Sequence, residues 1–221
     1  MYRYEKKFKL ESQYYRNIKN QIELKGWFKQ YPDRLINNIY LDNLSNSCFY
    51  DSIEGHLSKK KYRIRWYGRT FTENNQKIKK SNFEIKIKRD DLNYKKTFHL
   101  EEFLLPKKII FSDLLSTTTN LLKKNVEELE YLYIENFEPF FMNSYYREYY
   151  VDLSGDVRLT IDRKQKFYDV HPMIFNYVKK DDIIVELKFK SNISYNNFVI
   201  KSNLAQNSKF TNGINSLFNL I

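Results

Sequence analysis

The sequence predicts an α+β protein in which about eight strands are interrupted by helices. Three observations lead there. Short segments throughout the chain alternate apolar and charged residues with a period of two, the signature of a strand with two different environments. Longer segments between them space their apolar residues at helical intervals. Glycine (5) and proline (4) are scarce in 221 residues that hold 19 Tyr and 17 Phe, which favours long regular elements over loops.

Residues 2–10 open the chain as a strand, with Arg3, Glu5, Lys7 and Lys9 on one face. Tyr4, Phe8 and Leu10 take the other, with Lys6 the exception. Residues 11–28 read as a helix, because Tyr14, Ile18, Ile22 and Leu24 fall at near-helical spacing. A second strand, 35–42, leads to a short helix or irregular segment over 43–58.

The central stretch runs from 62 to 88. Arg63 and Arg65 alternate with Tyr62, Ile64 and Trp66, and Glu84, Lys86 and Lys88 alternate with Phe83, Ile85 and Ile87. A polar loop, 69–81, joins these strands as a long hairpin, and 94–100 adds another after the turn at Asp90, Asp91, Leu92 and Asn93. From 106 to 136 the pattern turns helical, through Ile109, Leu114, Leu115, Leu121, Leu122, Leu129 and Leu132.

Strands return at 140–151, which carries Arg147, and at 157–162, where Arg158, Thr160 and Asp162 oppose Val157, Leu159 and Ile161. The Ser154-Gly155-Asp156 turn links them. Residues 183–190 repeat the central pattern, with Glu186, Lys188 and Lys190 against Val185, Leu187 and Phe189. Residues 196–221 read as one or two helices. No short repeat or low-complexity linker divides the chain, so a single domain over 1–221 is expected.

Nearly every strand has an apolar face and a charged one, and two architectures satisfy that. An open sheet would pack helices on its apolar face and show its charges to water. A closed barrel would carry helices outside and line its interior with the charged face. Closure removes the edges that so many strands would otherwise expose.

A formal charge of +11 points to a polyanionic partner: nucleic acid, anionic lipid or phosphate compounds. At 42% hydrophobic and 17% aromatic the chain is not of the disordered class. The single cysteine, Cys48, excludes an intrachain disulfide framework and fits a reducing compartment. The first residues lack the apolar core of a signal peptide, and no apolar run approaches the roughly 20 residues that cross a bilayer. A cytoplasmic location is expected. No Gly-rich phosphate loop is present, which excludes a P-loop enzyme.

On the charged faces, cations outnumber carboxylates, and each carboxylate sits two residues from a cation. Basic strands side by side set like charges about 5 Å apart, a destabilising arrangement unless an anion lies between them. Arginine clamps phosphate as a planar fork and lysine as a point charge. The few carboxylates fit a hard divalent cation, which bridges protein oxygens to phosphate oxygens. A solvated strand face normally mixes signs; this bias to cations leaves an anion-binding cavity and a basic outer face for nucleic acid both open. His56, His99 and His171 show no metal-ligand spacing, and Cys48 lacks a nucleophile signature. Lys59-Lys60-Lys61 and Lys107-Lys108 read as solvated runs that could steer polyanions, and Tyr145, Tyr146, Tyr149 and Tyr150 as packing residues.

The chain resembles the VTC domain, the catalytic domain of vacuolar transporter chaperone proteins, within the triphosphate tunnel metalloenzyme (CYTH-like) superfamily. The resemblance runs in family order through Arg3-Tyr4-Glu5-Lys6-Lys7-Phe8, Ile39-Tyr40-Leu41-Asp42-Asn43, Arg63-Ile64-Arg65-Trp66-Tyr67-Gly68 and Glu84-Ile85-Lys86. It continues through Tyr146-Arg147, Val157-Arg158-Leu159-Thr160-Ile161-Asp162, Val185-Glu186-Leu187-Lys188 and Ser208-Lys209-Phe210. The Arg-x-Arg-Trp-Tyr-Gly element and the Ser-Lys-Phe element are its most specific pieces.

The resemblance implies a closed tunnel of eight antiparallel strands that polymerises inorganic polyphosphate from the γ-phosphate of ATP. It implies Lys7, Arg63, Arg65, Lys86, Arg147 and Lys209 as catalytic phosphate ligands, and Glu186 as the holder of Mn²⁺ or Mg²⁺. Lys96 or Lys95 takes the place of a further family lysine, with Lys96 preferred, and Arg158, Lys88, Lys188 and Arg3 join the substrate shell. Glu5 and Glu84 would tune neighbouring cations or assist the metal. ATP and polyphosphate are the expected partners, and no specific nucleic acid is. No regulatory SPX domain or membrane segment flanks these motifs, so sensing and translocation are not part of the expectation. The same scaffold hosts triphosphatases and adenylyl cyclases, so hydrolysis of a triphosphate and simple binding of polyphosphate or RNA stand as alternatives.

Overall fold

The structure, a computed structural model, describes residues 4–68, 76–89, 92–105, 110–171, 176–189 and 208–218. β1 (Tyr4–Leu10) passes through a single 3-10 turn into α1 (Tyr15–Leu24), and β2 (Phe28–Asn43) into α2 (Ser47–Ile53). A run of strands follows: β3 (Ser58–Tyr67), β4 (Gln76–Ile78), β5 (Ser81–Arg89), β6 (Leu92–Leu100) and β7 (Phe103–Leu105). After α3 (Phe111–Asn125) and α4 (Glu128–Ile134) come β8 (Phe137–Val151), β9 (Val157–Asp169), β10 (Tyr177–Lys180) and β11 (Ile183–Phe189), with α5 (Lys209–Phe218) last. Nine strands form one sheet in the order β1-β11-β9-β8-β2-β3-β5-β6, with β10 beside β9; β4 and β7 pair separately. The fold is α+β around a large antiparallel sheet, and among the described residues that sheet is not closed.

The chain divides into two compact units. The first holds Met1–Arg34, Tyr145–Gln165 and Lys179–Ser208. Here β1 pairs with β11 and β11 with β9, both antiparallel. The alternation seen in the sequence is the burial pattern: Phe8, Val157, Leu159, Ile161, Val185, Leu187 and Phe189 are buried with Ile18 and Ile22 of α1. The β8–β9 turn closes on Asp152, whose carbonyl accepts from Gly155 N (3.1 Å) and whose Oδ1 accepts from Val157 N (3.0 Å). Gly155 takes φ +75° there, a conformation that only glycine adopts cheaply.

The second unit holds Leu35–Ser144, Lys166–Val178 and Lys209–Ile221. Its ladders run β2 to β3, β3 to β5 and β5 to β6. Ile39, Leu41, Tyr62, Ile64, Trp66, Phe83 and Ile85 are buried together with Leu114, Leu121 and Leu122 of α3 and Ile134 of α4. α5 is placed differently. Its Phe210 ring lies 5.4 Å from Tyr40 and 5.7 Å from Phe141, and the Tyr40 hydroxyl meets Arg63, so this helix covers part of the charged face.

Several boundaries differ from the expectation. The first helix stops at Leu24, because Gly26 at φ +66° turns the chain and Trp27 N bonds back to Ile22 O (3.1 Å), a Schellman cap. Tyr14 and Leu24 are exposed, and of the four spaced residues Ile18 and Ile22 face the core, with Tyr15 packed beside them. β2 begins at Phe28, seven residues before the expected 35, through a polar stretch with Pro32 that carries no alternation. The helical stretch breaks at Val126, whose extended backbone (ψ 140°) separates α3 from α4, and Leu129 and Leu132 point to solvent. β4, β7 and β10 have three or four residues each, too few for a period to register. The expected start at residue 2, the Asp90-Asp91 turn, Ile109, Lys190 and the tail from 196 to 207 lie outside the described residues.

Candidate functional site

In the second unit the ladder register sorts the charged face into rows. Asn38, Arg65, Asn82 and His99 form one; Tyr40, Arg63, Glu84 and Thr97 the next; then come Lys61, Lys86 and Lys95, and after them Lys59, Lys88 and Asn93. The third row places three lysines directly opposite one another, where cross-strand neighbours lie about 5 Å apart and like charges destabilise the pairing.

Glu84 partly offsets this. Arg63 grips one carboxylate oxygen through Nε (2.9 Å) and Nη2 (2.7 Å), Arg65 Nη1 stands 3.6 Å from the same oxygen, and Lys95 Nζ 3.1 Å from the other. Burial would raise the Glu84 carboxyl, but Arg63, Arg65 and Lys95 outweigh it and hold it down to about 2. Arg65 is itself aimed by a buried chain: its Nε donates to Asn38 Oδ1 (2.8 Å), and Asn38 Nδ2 donates to Asn143 Oδ1 (2.7 Å). Within these four rows of described residues cations outnumber the carboxylate, a balance that favours an anion.

The register puts the two adjacent lysines of β6 on opposite faces. Lys95 opposes Lys86 and meets Glu84, whereas Lys96 opposes Ile85 on the other face. Lys96 reaches α4 instead, at 3.2 Å from Glu127 and 3.0 Å from Glu130, and lies over the Phe98 ring. The preferred residue, Lys96, is therefore on the helix side, and Lys95 is the one among the cations. Lys209 opens α5 beside Phe210, whose ring lies 5.5 Å from Lys61 Nζ. Lys88 is exposed at the end of β5, opposite Lys59.

In the first unit the rows are Glu5, Lys188 and Arg158; Lys7, Glu186 and Thr160; and Lys9, Ile184 and Asp162. Lys7 pairs with Glu5 and lies 3.9 Å from Glu186, and Lys188 lies 2.7 Å from Glu186 and 3.6 Å from Glu5. Burial works against ionisation of Glu186, but Lys188, Lys7 and Arg147 hold its carboxyl well below the usual range. The same burial would lower Lys7, and Glu186 and Glu5 raise it instead. Arg147 forks onto Asp162, which is fully buried, and its guanidinium lies over the Tyr145 ring at 5.4 Å. Arg158 is exposed in its row, and Arg3 lies outside the described residues. Lys7, Arg147, Glu186 and Lys188 thus come together in one unit, and Arg63, Arg65 and Lys86 in the other.

Sequence reasoning missed Asn38, Asn143 and His99, neutral residues among cations; His99 Nδ1 lies 2.7 Å from Asn82 Oδ1 in the Arg65 row. It also missed Glu148, which projects from β8 on the side opposite Arg147. Tyr15 (2.7 Å), Tyr150 (2.5 Å), Lys19 (3.2 Å) and Arg163 (2.8 Å) all donate to this buried carboxylate. Burial would raise it, yet the Tyr150 and Tyr15 hydroxyls and Lys19 hold it low. Strict alternation between Arg147 and Glu148 was legible, but its partners on α1 were not.

A divalent ion implied by the resemblance needs hard oxygen donors. Among the described residues no cluster of three or more His, Cys, Asp or Glu is placed to hold one. Glu186 and Glu5 nevertheless share a face, and Thr160, opposite Glu186, keeps a buried Oγ1 without a hydrogen-bond partner. Two carboxylates and a hydroxyl suit Mg²⁺ or Mn²⁺ when phosphate oxygens complete the shell. No helix of the described residues is long and apolar enough to cross a membrane.

A family model described as the VTC domain matches residues 2–218. No curated protein matches the chain. Among solved structures, a Hippeastrum protein named for adenylyl cyclase, with a dominant triphosphatase activity, superposes with a TM-score of 0.53 at 15% identity, covering 96% of this chain and 95% of its own. Proteins named for adenylate cyclase from Vibrio parahaemolyticus (TM-score 0.48, 8% identity, 86% of this chain and 77% of that one) and Bacillus halodurans (0.45, 14%, 88% and 85%) are more distant. At these identities the likeness is one of fold.

Proposed function

The chain belongs to the VTC domain family, and from that premise we propose that it makes inorganic polyphosphate by transferring the γ-phosphate of ATP to a growing chain. The observation that carries this reading is the register that sets Lys61, Lys86 and Lys95 directly opposite one another on the face that also holds Arg63, Arg65 and Glu84. Triphosphate and polyphosphate supply negative charge at regular spacing.

In this reading Lys7 and Arg147 in the first unit, and Arg63, Arg65, Lys86 and Lys209 in the second, are phosphate ligands. Lys95 takes the part expected of Lys96, and Arg158, Lys88 and Lys188 belong to the outer shell. The closed eight-stranded tunnel and the working of 1–221 as one domain are parts of the proposal. The free Cys48 and the use of ATP fit the cytoplasm.

Phosphoryl transfer asks the protein for in-line positioning and for cancellation of charge on the phosphoryl oxygens, and little else. A terminal oxygen of the acceptor polyphosphate forms the new bond to the γ-phosphorus, the bond to the β–γ bridging oxygen breaks, and ADP leaves with that oxygen. Arg63, fixed by Glu84, and Arg147, fixed by Asp162, hold their forks still while charge shifts between these oxygens. Mg²⁺ or Mn²⁺ held by Glu186, with Glu5 and Thr160 beside it, would supply further charge neutralisation on the phosphate oxygens.

A second reading, hydrolysis of the triphosphate, is favoured by the triphosphatase activity of the Hippeastrum protein. It differs only in the acceptor, water in place of phosphate. Incubation with γ-labelled ATP and Mn²⁺, followed by separation of products by size, tests both. Label in long acid-labile chains supports the polymerase. Label only in orthophosphate replaces it with the hydrolase, and binding of polyphosphate without turnover overturns both in favour of a binding module.

A further inference from the structure

Next to Arg147 lies a group of rings that the reaction above does not use. Tyr31 of β2 and Tyr149 of β8 meet edge to face, with ring centres 5.6 Å apart and planes at 89°. The Arg34 guanidinium lies 4.8 Å from the Tyr31 ring centre and 5.6 Å from that of Tyr149. Tyr31 is 44% exposed, and Tyr149 and Arg34 are half-buried.

The place of this group is set by β8. Glu148 points to α1, where Tyr15 and Lys19 bond it, so Arg147 and Tyr149 project together on the opposite side. Two residues along a strand span about 7 Å, the scale of one ribose. Going along that side, β8 presents the Tyr145 ring, the Arg147 guanidinium and the Tyr149 ring, with Arg34 and Tyr31 beyond.

We propose that Tyr31, Arg34 and Tyr149 form the nucleobase platform of the nucleotide site, stacking the base of a nucleoside triphosphate whose phosphates reach Arg147. The proposal rests on the reading of Arg147 as a phosphate ligand of an ATP-using enzyme. Aromatic rings and guanidinium planes both offer a base a flat, polarisable face, and stacking on them is worth about 1–3 kcal/mol per base without selecting among bases. A platform that stacks without edge-on hydrogen bonds accepts ATP and GTP with similar affinity.

The test is calorimetric titration of the full chain with ATP and with inorganic tripolyphosphate, which has the phosphates and no base. The wild type is compared with Tyr149→Phe, Tyr149→Ala and the Tyr31→Ala/Tyr149→Ala pair, each checked by thermal melting. The expected result is roughly ten-fold weaker ATP binding by the alanine pair, unchanged tripolyphosphate binding, and near wild-type behaviour of Tyr149→Phe. Unchanged ATP affinity in a folded alanine pair overturns the platform. So does an equal loss for both ligands, which would mean that the tyrosines only support Arg147. Wild-type protein that binds tripolyphosphate but not ATP sinks the platform and leaves the phosphate site intact; wild type that binds neither removes the underlying reading as well.

Discussion

Arg147 and Asp162 meet as a two-pronged fork, with Nε 2.5 Å from Oδ1 and Nη2 2.6 Å from Oδ2. The carboxylate is fully buried, so it acts on Arg147 and on nothing in solvent. In the proposed reaction Asp162 therefore holds Arg147 in position. Asp162→Asn keeps the shape and removes the charge, while the guanidinium stays ionised. Breaking one side of a buried ion pair costs about 3–5 kcal/mol, and the part-exposed edge of Arg147 puts this case at the lower end. The expected outcome in urea melts is a clear loss of stability, together with weaker tripolyphosphate binding. An unchanged midpoint and unchanged affinity would mean that the fork fixes nothing.

Glu84 makes stability depend on acid pH in a definite direction. Its folded carboxyl titrates at about 2, below the ordinary value of 4.5, so the unfolded chain takes up the proton first as pH falls. The contribution is complete above about pH 5 and disappears as pH falls toward 2. At about 1.4 kcal/mol per unit it amounts to at most about 3.5 kcal/mol. Carbon NMR of the Glu84 side chain should give a midpoint near 2, and Glu84→Gln should be less stable than wild type at pH 7 by a margin that closes in acid. A midpoint near 4 would show that Arg63, Arg65 and Lys95 do not hold the carboxylate as the geometry indicates.

Alternation made one part of this molecule legible from the sequence and left another hidden. Phe83, Ile85 and Val185 against Glu84, Lys86 and Glu186 gave the strands and their faces, because a period of two fixes which side a residue takes. Register between strands is a different quantity. Lys95 and Lys96 are adjacent lysines in a strand that any reading would accept, and only the pairing of Lys95 with Lys86 chooses between them. The same limit hid Asn38 and Asn143, which matter through each other across 105 positions of chain. Tyr31 and Arg34 lie in a stretch of β2 without alternation, so no face could be assigned to them.

The choice between those two lysines is directly measurable. Lys95→Ala should weaken tripolyphosphate binding and polymerisation several-fold, since it removes a cation from the row beside Lys86. Lys96→Ala should leave both near wild type and change stability little, because its pairs with Glu127 and Glu130 are largely open to solvent. The two variants differ by one position and have the same formal charge, so long-range electrostatics cancel in the comparison. The reverse ranking would place the wrong face of β6 toward the phosphates.

Lys209 depends on how α5 is seated, and Gly213 seats it. A Cβ at residue 213 would lie 2.4 Å from Phe141 Cε2, 2.7 Å from Phe141 Cζ and 3.0 Å from Phe167 Cδ1, too close for any of them to stay in place. Phe141 is fully buried and stacked on Tyr40 at 4.8 Å, so its ring has little room to yield. Gly213→Ala therefore lifts the helix or displaces the ring, at a cost of about 1–3 kcal/mol. Hydrogen exchange should quicken in α5 while β3 and β5 keep their protection, since their ladder does not involve Gly213. If Lys209 binds phosphate only from a docked α5, Lys209→Ala and Gly213→Ala should each weaken tripolyphosphate binding, and the double variant should be no worse than the poorer single one. Additive losses would show instead that Lys209 reaches the phosphates whether or not the helix is seated.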